Sequence, residues 1–131
     1  TISSSVTGVQ TCALPICGDI PLQGDFVTIS FDPQAGHEQK GRRPAFVVSV
    51  SGFNRATGLA FCCPITNTDR KTPFHVGVPE GSGLTGYVMC EQLKSVDFRA
   101  RSLKRIGKAP REFLDEVISV IDACIYPKNE R

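Results

Sequence analysis

Residues 44–51 read PAFVVSVS, and residues 59–65 read LAFCCPI. Both stretches are short and almost entirely apolar, and β-branched or aromatic side chains are frequent in them. Such runs are typical of strands buried in the middle of a sheet. We therefore expect two central strands here, joined by a turn at residues 52–58 (GFNRATG), which has the composition of a turn.

Other strands are expected on either side of this pair. Residues 25–31 (DFVTISF) alternate polar and apolar side chains, as a half-buried strand does. Residues 74–78, 86–90 and 92–96 are shorter candidates. The segment 32–43 (DPQAGHEQKGRR) separates the first two strands and reads as a loop of about twelve residues. Loops of that length in compact domains are usually functional or disordered.

One helix is expected near the C-terminus. Pro110 suits the first helical turn, and Pro127 ends the segment. Apolar side chains recur between them at helical spacing, at Phe113, Leu114, Val117, Ile118, Ile121 and Cys124. Five to seven short strands and a terminal helix predict a mainly β (α+β) domain, a small barrel-like sheet with helical decoration.

The composition excludes several classes of protein. The chain has 131 residues and a net charge of +2, so affinity for nucleic acid would have to come from local clustering of cations. No apolar run approaches the roughly 20 residues of a membrane helix, and no secretory signal is visible. The six cysteines form no C-x-x-C pair, so we expect buried free thiols rather than zinc ligands or a disulfide scaffold.

The N-terminal segment differs from the rest of the chain. Residues 6–16 (VTGVQTCALPI) resemble the translation of a common sequencing-library adapter, and Cys17 is expected to straddle the junction. We therefore interpret residues 1–17 as an artefactual, disordered tail. Residues 18–127 are expected to form a single domain, and residues 128–131 a C-terminal tail.

Two features of the sequence could support phosphoryl-transfer chemistry. The loop gathers His37, Glu38 and Arg43 into a short span, and a carboxylate beside an anchored guanidinium can accept a proton while phosphate charge is neutralised. Seven cations lie between Lys94 and Arg111 against one acid, Asp97, which is typical of a polyanion-binding surface. Each feature is also compatible with an ordinary solvated face. The sequence contains no nucleophile elbow, Walker loop, dinucleotide fingerprint or H-E-x-x-H motif.

Ten short phrases occur in a characteristic order and spacing. They are GD at 24–25, FDP at 31–33, GHEQ at 36–39, GRRP at 41–44, FN at 53–54, TG at 57–58, PIT at 64–66, PF at 73–74, EQLKS at 91–95 and DFRAR at 97–101. Together they resemble the MazF/PemK family of toxin endoribonucleases from residue 24 to about residue 125.

The resemblance implies an SH3-like β-barrel that forms a homodimer in the bacterial cytoplasm. It implies cleavage of single-stranded RNA, chiefly mRNA, without a metal or other cofactor. In that reaction the ribose 2′-OH attacks the adjacent phosphate and leaves a 2′,3′-cyclic phosphate and a 5′-OH end, so that translation stops. It also implies a cognate antitoxin whose C-terminal segment becomes ordered on binding.

The resemblance also assigns catalytic residues. Arg43 matches the family's catalytic arginine, expected to stabilise the phosphorane and to assist the leaving 5′-oxygen. Thr66 matches its catalytic threonine, expected to hydrogen-bond a phosphate oxygen. Glu38 matches the glutamate proposed as general base, and His37 is the alternative because an imidazole, with an ordinary pKa of about 6.5, suits proton transfer at neutral pH.

Four further residues match positions near the family's RNA groove. Asn54 and Gln92 carry amides suited to base edges, and Lys94 can contact phosphate. Phe53 could stack on a base or fill an apolar site. Asp97 and Arg99 are expected to pair with each other structurally, and His75 stands where some relatives carry Glu.

Two alternatives to an RNA-cleaving enzyme remain open at this stage. One is a toxin of the same fold that acts by binding, as the gyrase-poisoning toxins do. The other is an inactive interaction domain. Arg43, Thr66 and Glu38 together favour cleavage, because a pure binder requires none of them.

Overall fold

The computed structural model describes residues 20–30 and 42–127, which contain seven strands and two α-helices. The strands are β1 (Asp25–Ser30), β2 (Arg42–Val47), β3 (Leu59–Thr66), β4 (His75–Gly77), β5 (Tyr87–Met89), β6 (Lys94–Asp97) and β7 (Lys104–Lys108). Helix α1 (Ser51–Thr57) joins β2 to β3, a 3₁₀ helix (Cys90–Gln92) joins β5 to β6, and α2 (Arg111–Ile125) follows β7.

All strand pairs are antiparallel, and β3 is the branch point of the sheet. The main order is β4-β5-β3-β2-β1-β7, and β6 pairs with β3 as well. Strand β3 pairs with β6 along its first half and with β5 at its last two residues. The sheet therefore folds over itself and gives a barrel-like shape that strand pairing does not close among the described residues.

Strand alternation divides the interior into two apolar clusters. In β3, for example, Cys62 belongs to one cluster and Cys63 to the other, and β1 divides Phe26 from Val27 in the same way. Both faces of the central strands are covered, and for this reason β2 and β3 are almost continuously apolar. The two central strands and the mainly β fold with a C-terminal helix are thus confirmed.

Helix α2 closes the larger cluster. Pro110 precedes the helix, and Phe113, Leu114 and Val117 are its buried residues. The rings of Phe26, Phe46 and Phe113 lie 5.1–5.9 Å apart and form one aromatic group, so the helix is fixed against β1 and β2. Its apolar stripe ends earlier than expected, because Cys124 is exposed and only Cys62, Cys63 and Cys90 are buried thiols among the described residues.

Three expectations about the elements need correction. Residues 52–58 were expected to form a turn, but they contribute to helix α1, which ends at Gly58 in a left-handed conformation (φ 77°). Strand β2 begins at Arg42, so the loop before it ends sooner than residue 43. Strand β7 was not expected, because its sequence at Lys104–Lys108 is mostly charged. Ile106 is its one large apolar side chain, and that side chain is exposed.

Among the described residues, no helix is long and apolar enough to span a membrane.

Candidate RNA-cleaving groove

Arg43 and Thr66 lie at the same level of two neighbouring strands. Strands β2 and β3 pair in a register that joins Ala45 to Pro64 and Phe46 to Cys63. Continued two residues beyond the Ala45–Pro64 pair, where the β2–β3 pairing ends, this register aligns Arg43 with Thr66. Side chains at aligned positions of neighbouring strands project to the same side of the sheet. The fold therefore brings together two residues that are far apart in sequence and were both expected to be catalytic.

A groove of about 400 Å³ lies over this pair. Its wall includes Arg43, Thr66, Gln92 and Lys94, four of the eight residues expected from the sequence to act on RNA. The remaining lining residues are Pro44, Pro64, Ile65, Asn67 and Met89. The groove thus has an apolar floor with two cationic side chains, one hydroxyl and two amides, a donor set suited to phosphate and to base edges.

The two arginines of the GRRP phrase have different environments. The Arg42 guanidinium donates hydrogen bonds to the carbonyl oxygen of Thr28 (2.8 Å), to its hydroxyl (3.0 Å) and to the carbonyl oxygen of Ser102 (2.6 Å). The side chain of Arg43 is exposed and has no hydrogen-bond or ion-pair partner within residues 20–30 and 42–127. Arg42 therefore joins β2 to its neighbours, whereas the exposed Arg43 side chain makes no such bond to the described residues.

The hydroxyl of Thr66 is oriented by its own turn. Thr66 ends β3, and the backbone N–H of Thr68 donates to its Oγ1 at 3.2 Å. An oxygen that accepts this bond can still donate its proton elsewhere. The turn therefore leaves the Thr66 hydroxyl able to donate a hydrogen bond into the groove.

Asn67 is a groove residue that the sequence analysis missed. It follows Thr66, lines the groove and accepts a hydrogen bond at Oδ1 from the Thr85 hydroxyl at 3.2 Å. Its position in the sequence could have indicated this role, because a polar amide that directly follows a buried strand lies at the end of the sheet. With Oδ1 already engaged, its NH₂ group remains a donor for a base or phosphate.

The structure does not support the expectation that Asn54 contacts RNA. Its side chain is fully buried. Its Nδ2 donates to the carbonyl oxygen of Pro21 at 2.9 Å, and its Oδ1 accepts from the Ser49 hydroxyl at 2.5 Å. Asn54 therefore links α1 to the chain before β1, and we leave it out of the groove.

Phe53 also lies away from the groove lining. Its ring packs against Phe61, with the ring centroids 4.7 Å apart. Of the two roles left open for Phe53, the structure provides the apolar contact. The expected general bases His37 and Glu38 lie outside the described residues.

Asp97 and Arg99 do interact, but through the backbone of Arg99. Asp97 Oδ1 accepts hydrogen bonds from the N–H groups of Arg99 and Ala100, at 3.2 and 3.1 Å. This arrangement caps the turn between β6 and β7. The Arg99 side chain is thus not committed to Asp97 by these bonds and stays exposed on the basic segment.

A histidine–carboxylate pair stands beside the groove. His75 Nε2 lies 3.0 Å from Glu91 Oε2, and Glu91 immediately precedes the groove residue Gln92. The His75 side chain is 2% exposed and its Nδ1 has no partner within the described part of the chain, whereas the Glu91 side chain is 40% exposed. Partial burial raises the pKa of Glu91, but hydrogen bonds from His75 and the backbone outweigh it, and the net pKa lies below its usual value.

A larger concavity lies between β4 and β5 and does not suit RNA. It measures about 700 Å³, and glycines and apolar side chains of residues 77–87 make up most of its lining. Glu80 is the charged residue there, and its sign opposes that needed for a phosphate. The smaller groove is therefore the better candidate site.

No group of three or more His, Cys, Asp or Glu side chains that could hold a metal ion occurs within the described residues.

The fold and the groove define a small, barrel-like, mainly β protein with a cationic groove at one end of its central strands. A family model described as PemK-like, MazF-like toxin of type II toxin–antitoxin systems matches residues 22–125. The chain therefore belongs to the PemK/MazF toxin family.

Individual relatives agree with this assignment. Endoribonuclease PemK from Escherichia coli is 39% identical over 108 residues, covering 79% of this chain and 80% of the relative. Endoribonuclease toxin MazF from Escherichia coli K12 is 36% identical over 106 residues, covering 81% and 95% of the two chains.

Solved structures of relatives show the same fold. MazF from Deinococcus radiodurans superposes with a TM-score of 0.72 at 39% identity, covering 81% of this chain and 96% of that one. A MazE–MazF crystal structure from the same organism gives 0.75 at 34% identity, covering 83% and 99%.

Proposed function

We propose that this chain is a sequence-specific endoribonuclease toxin that cleaves single-stranded RNA, chiefly mRNA, without a metal ion. The observation that supports this most directly is the alignment of Arg43 and Thr66 on neighbouring strands, both lining one groove. An available guanidinium and an oriented hydroxyl on the same side of a sheet can bind two oxygens of one phosphate.

The reaction is an intramolecular attack by the ribose 2′-OH on the adjacent phosphate. A bond forms between the 2′-oxygen and phosphorus, and the bond to the 5′-oxygen of the next nucleotide breaks. Glu38 or His37 removes the proton from the 2′-OH, and a water molecule hydrogen-bonded to the Arg43 guanidinium donates a proton to the leaving 5′-oxygen. The products are a 2′,3′-cyclic phosphate and a 5′-OH end.

Arg43 and Thr66 act on the charge that accumulates during this attack. A guanidinium remains protonated at physiological pH, so Arg43 neutralises the additional negative charge on the phosphorane oxygens. The Thr66 hydroxyl donates to one of these oxygens, while Thr68 N–H holds its acceptor side. Neither role requires the residue to change its protonation state permanently.

RNA is held along the rest of the groove. Lys94 contacts a phosphate, and the amides of Gln92 and Asn67 read the edges of unpaired bases. The basic segment from Lys94 to Arg111 extends the positive surface beyond the groove. Because unpaired bases present their edges freely, we expect a preference for single-stranded substrates.

The proposed partners follow from the family. MazE–MazF complexes are the subject of several of the matching crystal structures, and we propose a cognate antitoxin that covers the same groove in this chain. We also propose that the chain forms a homodimer and acts in the bacterial cytoplasm, where mRNA is translated.

Cleavage of a long single-stranded RNA in EDTA tests the proposal. Wild-type protein should give discrete fragments with 5′-OH and 2′,3′-cyclic phosphate ends, and Arg43→Ala should reduce their rate of formation by at least about 10²-fold. Arg111→Ala is the comparison variant, because Arg111 is an exposed arginine at the far end of the basic segment and is paired with Asp115 on the same helix; at saturating protein its loss should leave the rate of cleavage of bound RNA unchanged. Intact RNA after incubation with folded wild-type protein would reject the nuclease and favour a toxin that acts by binding.

A further inference from the structure

Two buried thiols lie below the groove and take no part in the proposed reaction. Cys63 belongs to β3 and is fully buried, and Cys90 begins the 3₁₀ helix after β5 and is 3% exposed. Both are free thiols.

The strand pairing places these two cysteines opposite each other. Strands β3 and β5 pair with Ile65 opposite Val88 and Thr66 opposite Tyr87. Continued two residues beyond Ile65 and Val88, past the last residue of β5 at Met89, this register aligns Cys63 with Cys90. All four residues belong to one apolar cluster, so both thiols point to the same side of the sheet. Directly opposed residues have Cβ atoms about 4.5–5.5 Å apart, and a disulfide spans about 3.5–4.5 Å, so the two strands would have to approach by up to about 1 Å for the bond to form.

Each thiol affects the ionisation of the other, and the Cys90 thiol donates a hydrogen bond to the carbonyl oxygen of Val88 at 3.9 Å. A hydrogen bond from the Cys63 thiol to the Cys90 sulfur raises the pKa of Cys63, and burial raises it further. The same hydrogen bond lowers the pKa of Cys90, against the opposing effects of burial and of Glu91. Cys90 is therefore the partner that ionises more readily, and the thiolate is the reactive form of a cysteine.

Cys62 provides an internal comparison. It is adjacent to Cys63 in sequence but faces the other apolar cluster, and its thiol donates to the carbonyl oxygen of Ala60 at 3.9 Å. Burial raises the pKa of Cys62 to about 12. The two vicinal cysteines thus face opposite sides of the sheet.

We propose that Cys63 and Cys90 are a redox-active pair that hydrogen peroxide converts into an intramolecular disulfide. The Cys90 thiolate attacks one peroxide oxygen, the O–O bond breaks, and a sulfenic acid forms; the leaving hydroxide takes up the proton that the Cys90 thiol released on ionising and becomes the first water. The Cys63 sulfur then attacks the sulfenic sulfur, so that the S–S bond forms and the S–O bond breaks, releasing the second water. Two thiols are oxidised by two electrons, and one peroxide is reduced to two waters.

The position of the pair gives the disulfide a consequence for the groove. Cys63 lies three residues before Thr66 in β3, and Cys90 lies two residues before Gln92. A disulfide would therefore join the strand that carries the hydroxyl to the helix that carries the amide. A reducing agent would restore the dithiol.

Thiol counting on the folded protein tests the pair. In a full-length chain with Cys12→Ser, Cys17→Ser and Cys124→Ser, the three remaining thiols are Cys62, Cys63 and Cys90. The protein is treated with hydrogen peroxide at a concentration that leaves its circular dichroism unchanged. It is then unfolded in the presence of N-ethylmaleimide, which alkylates the free thiols, and its mass is measured by mass spectrometry. We expect one alkylated thiol after oxidation instead of three. If the oxidised protein is reduced with dithiothreitol before it is alkylated, all three thiols should be alkylated again.

Single substitutions in that background identify the partners. With Cys62→Ala the disulfide should still form, leaving no alkylated thiol, whereas Cys63→Ala should leave its two thiols unlinked. Cys90→Ala should likewise form no disulfide, and both of its thiols should be alkylated because the cysteine that peroxide attacks first is absent; this variant serves if Cys63→Ala does not fold. Three alkylated thiols after oxidation, or loss of the disulfide in Cys62→Ala, would overturn the proposal.

Discussion

A Cβ atom at position 86 would lie 2.6 Å from the carbonyl oxygen of Thr66, so Gly86 is packed directly against the backbone of the proposed catalytic threonine. The same atom would lie 3.0 Å from the Ile65 side chain and 3.2 Å from Asn67 Oδ1. Gly86 has a φ of 128°, which side-chain-bearing residues rarely adopt. The turn before β5 therefore packs against the end of β3 that lines the groove. This close packing requires glycine at position 86, because a Cβ atom there would collide with β3.

Gly86→Ala should displace Thr66 and Asn67 as well as strain its own backbone. We expect a loss of about 1–3 kcal/mol in the free energy of unfolding, measured with urea, and a large fall in RNA cleavage. Gly81→Ala is the matched control, because Gly81 also has a positive φ (86°) but a Cβ there meets nothing within 4 Å. Equal stability and equal cleavage rates in the two variants would show that the close contact has no effect on the site.

The role of the Thr66 hydroxyl can be separated from its shape. Thr66→Val keeps the branched side chain but removes the hydrogen-bond donor, and we expect cleavage to slow by about 10²-fold. Thr66→Ser keeps the donor and should retain most of the activity. The measurement is the single-turnover cleavage rate on a short RNA that contains one cleavage site. A Val variant as fast as the Ser variant would assign Thr66 a purely structural role.

The central strands β2 and β3 were predictable because their apolar runs are nearly uninterrupted, and such runs indicate a strand that is buried on both faces. Strand β7 was not, because its Lys104–Lys108 sequence is dominated by charge and its place in the sheet depends on backbone pairing with β1. Helix α1 was missed for a related reason. Its residues include Gly52, Asn54 and Thr57, which favour turns locally, and tertiary contacts of Asn54 hold the helix in place.

The residues of the groove were also only partly predictable from the sequence. Family resemblance identified Arg43 and Thr66 individually, but only the β2–β3 register aligns them. The adjacent Arg42 and Arg43 cannot be told apart by residue type, and hydrogen bonds to Thr28 and Ser102 separate their roles. Amide residues are equally ambiguous, since Asn54 is buried and Asn67 lines the groove.

Asn54→Ala should therefore affect stability and not RNA binding. The substitution leaves the carbonyl oxygen of Pro21 and the hydroxyl of Ser49 without their buried partner, so we expect a cost of about 1–3 kcal/mol in unfolding free energy. Below the unfolding temperature, KM for RNA should stay within about twofold of the wild-type value. Gln92→Ala should show the opposite pattern, a raised KM with little change in stability, because Gln92 is exposed in the groove. A raised KM in Asn54→Ala at full stability would return this residue to the RNA interface.

The His75–Glu91 pair should contribute to stability at neutral pH and lose its contribution in acid. Burial opposes ionisation of Glu91, but hydrogen bonds outweigh it and lower the pKa of Glu91 in the folded protein below its usual value of 4.5. The folded state then binds fewer protons than the unfolded chain near that pH. The stabilisation is complete above the unfolded-state pKa and is lost as the pH falls through the lower folded-state value.

Glu91→Gln should consequently flatten part of the acid limb of the stability curve. Because the Glu91 side chain is 40% exposed, the difference from wild type at pH 7 should be below about 1 kcal/mol, and it should shrink toward zero once both states are protonated. Urea unfolding at a series of pH values from neutral to strongly acidic measures this difference. Asp115→Asn is the control, since Asp115 is an exposed carboxylate in an i,i+4 pair on α2. If the stability advantage of the wild type over the Glu91→Gln variant instead grew as the pH fell, the lowered pKa would be contradicted.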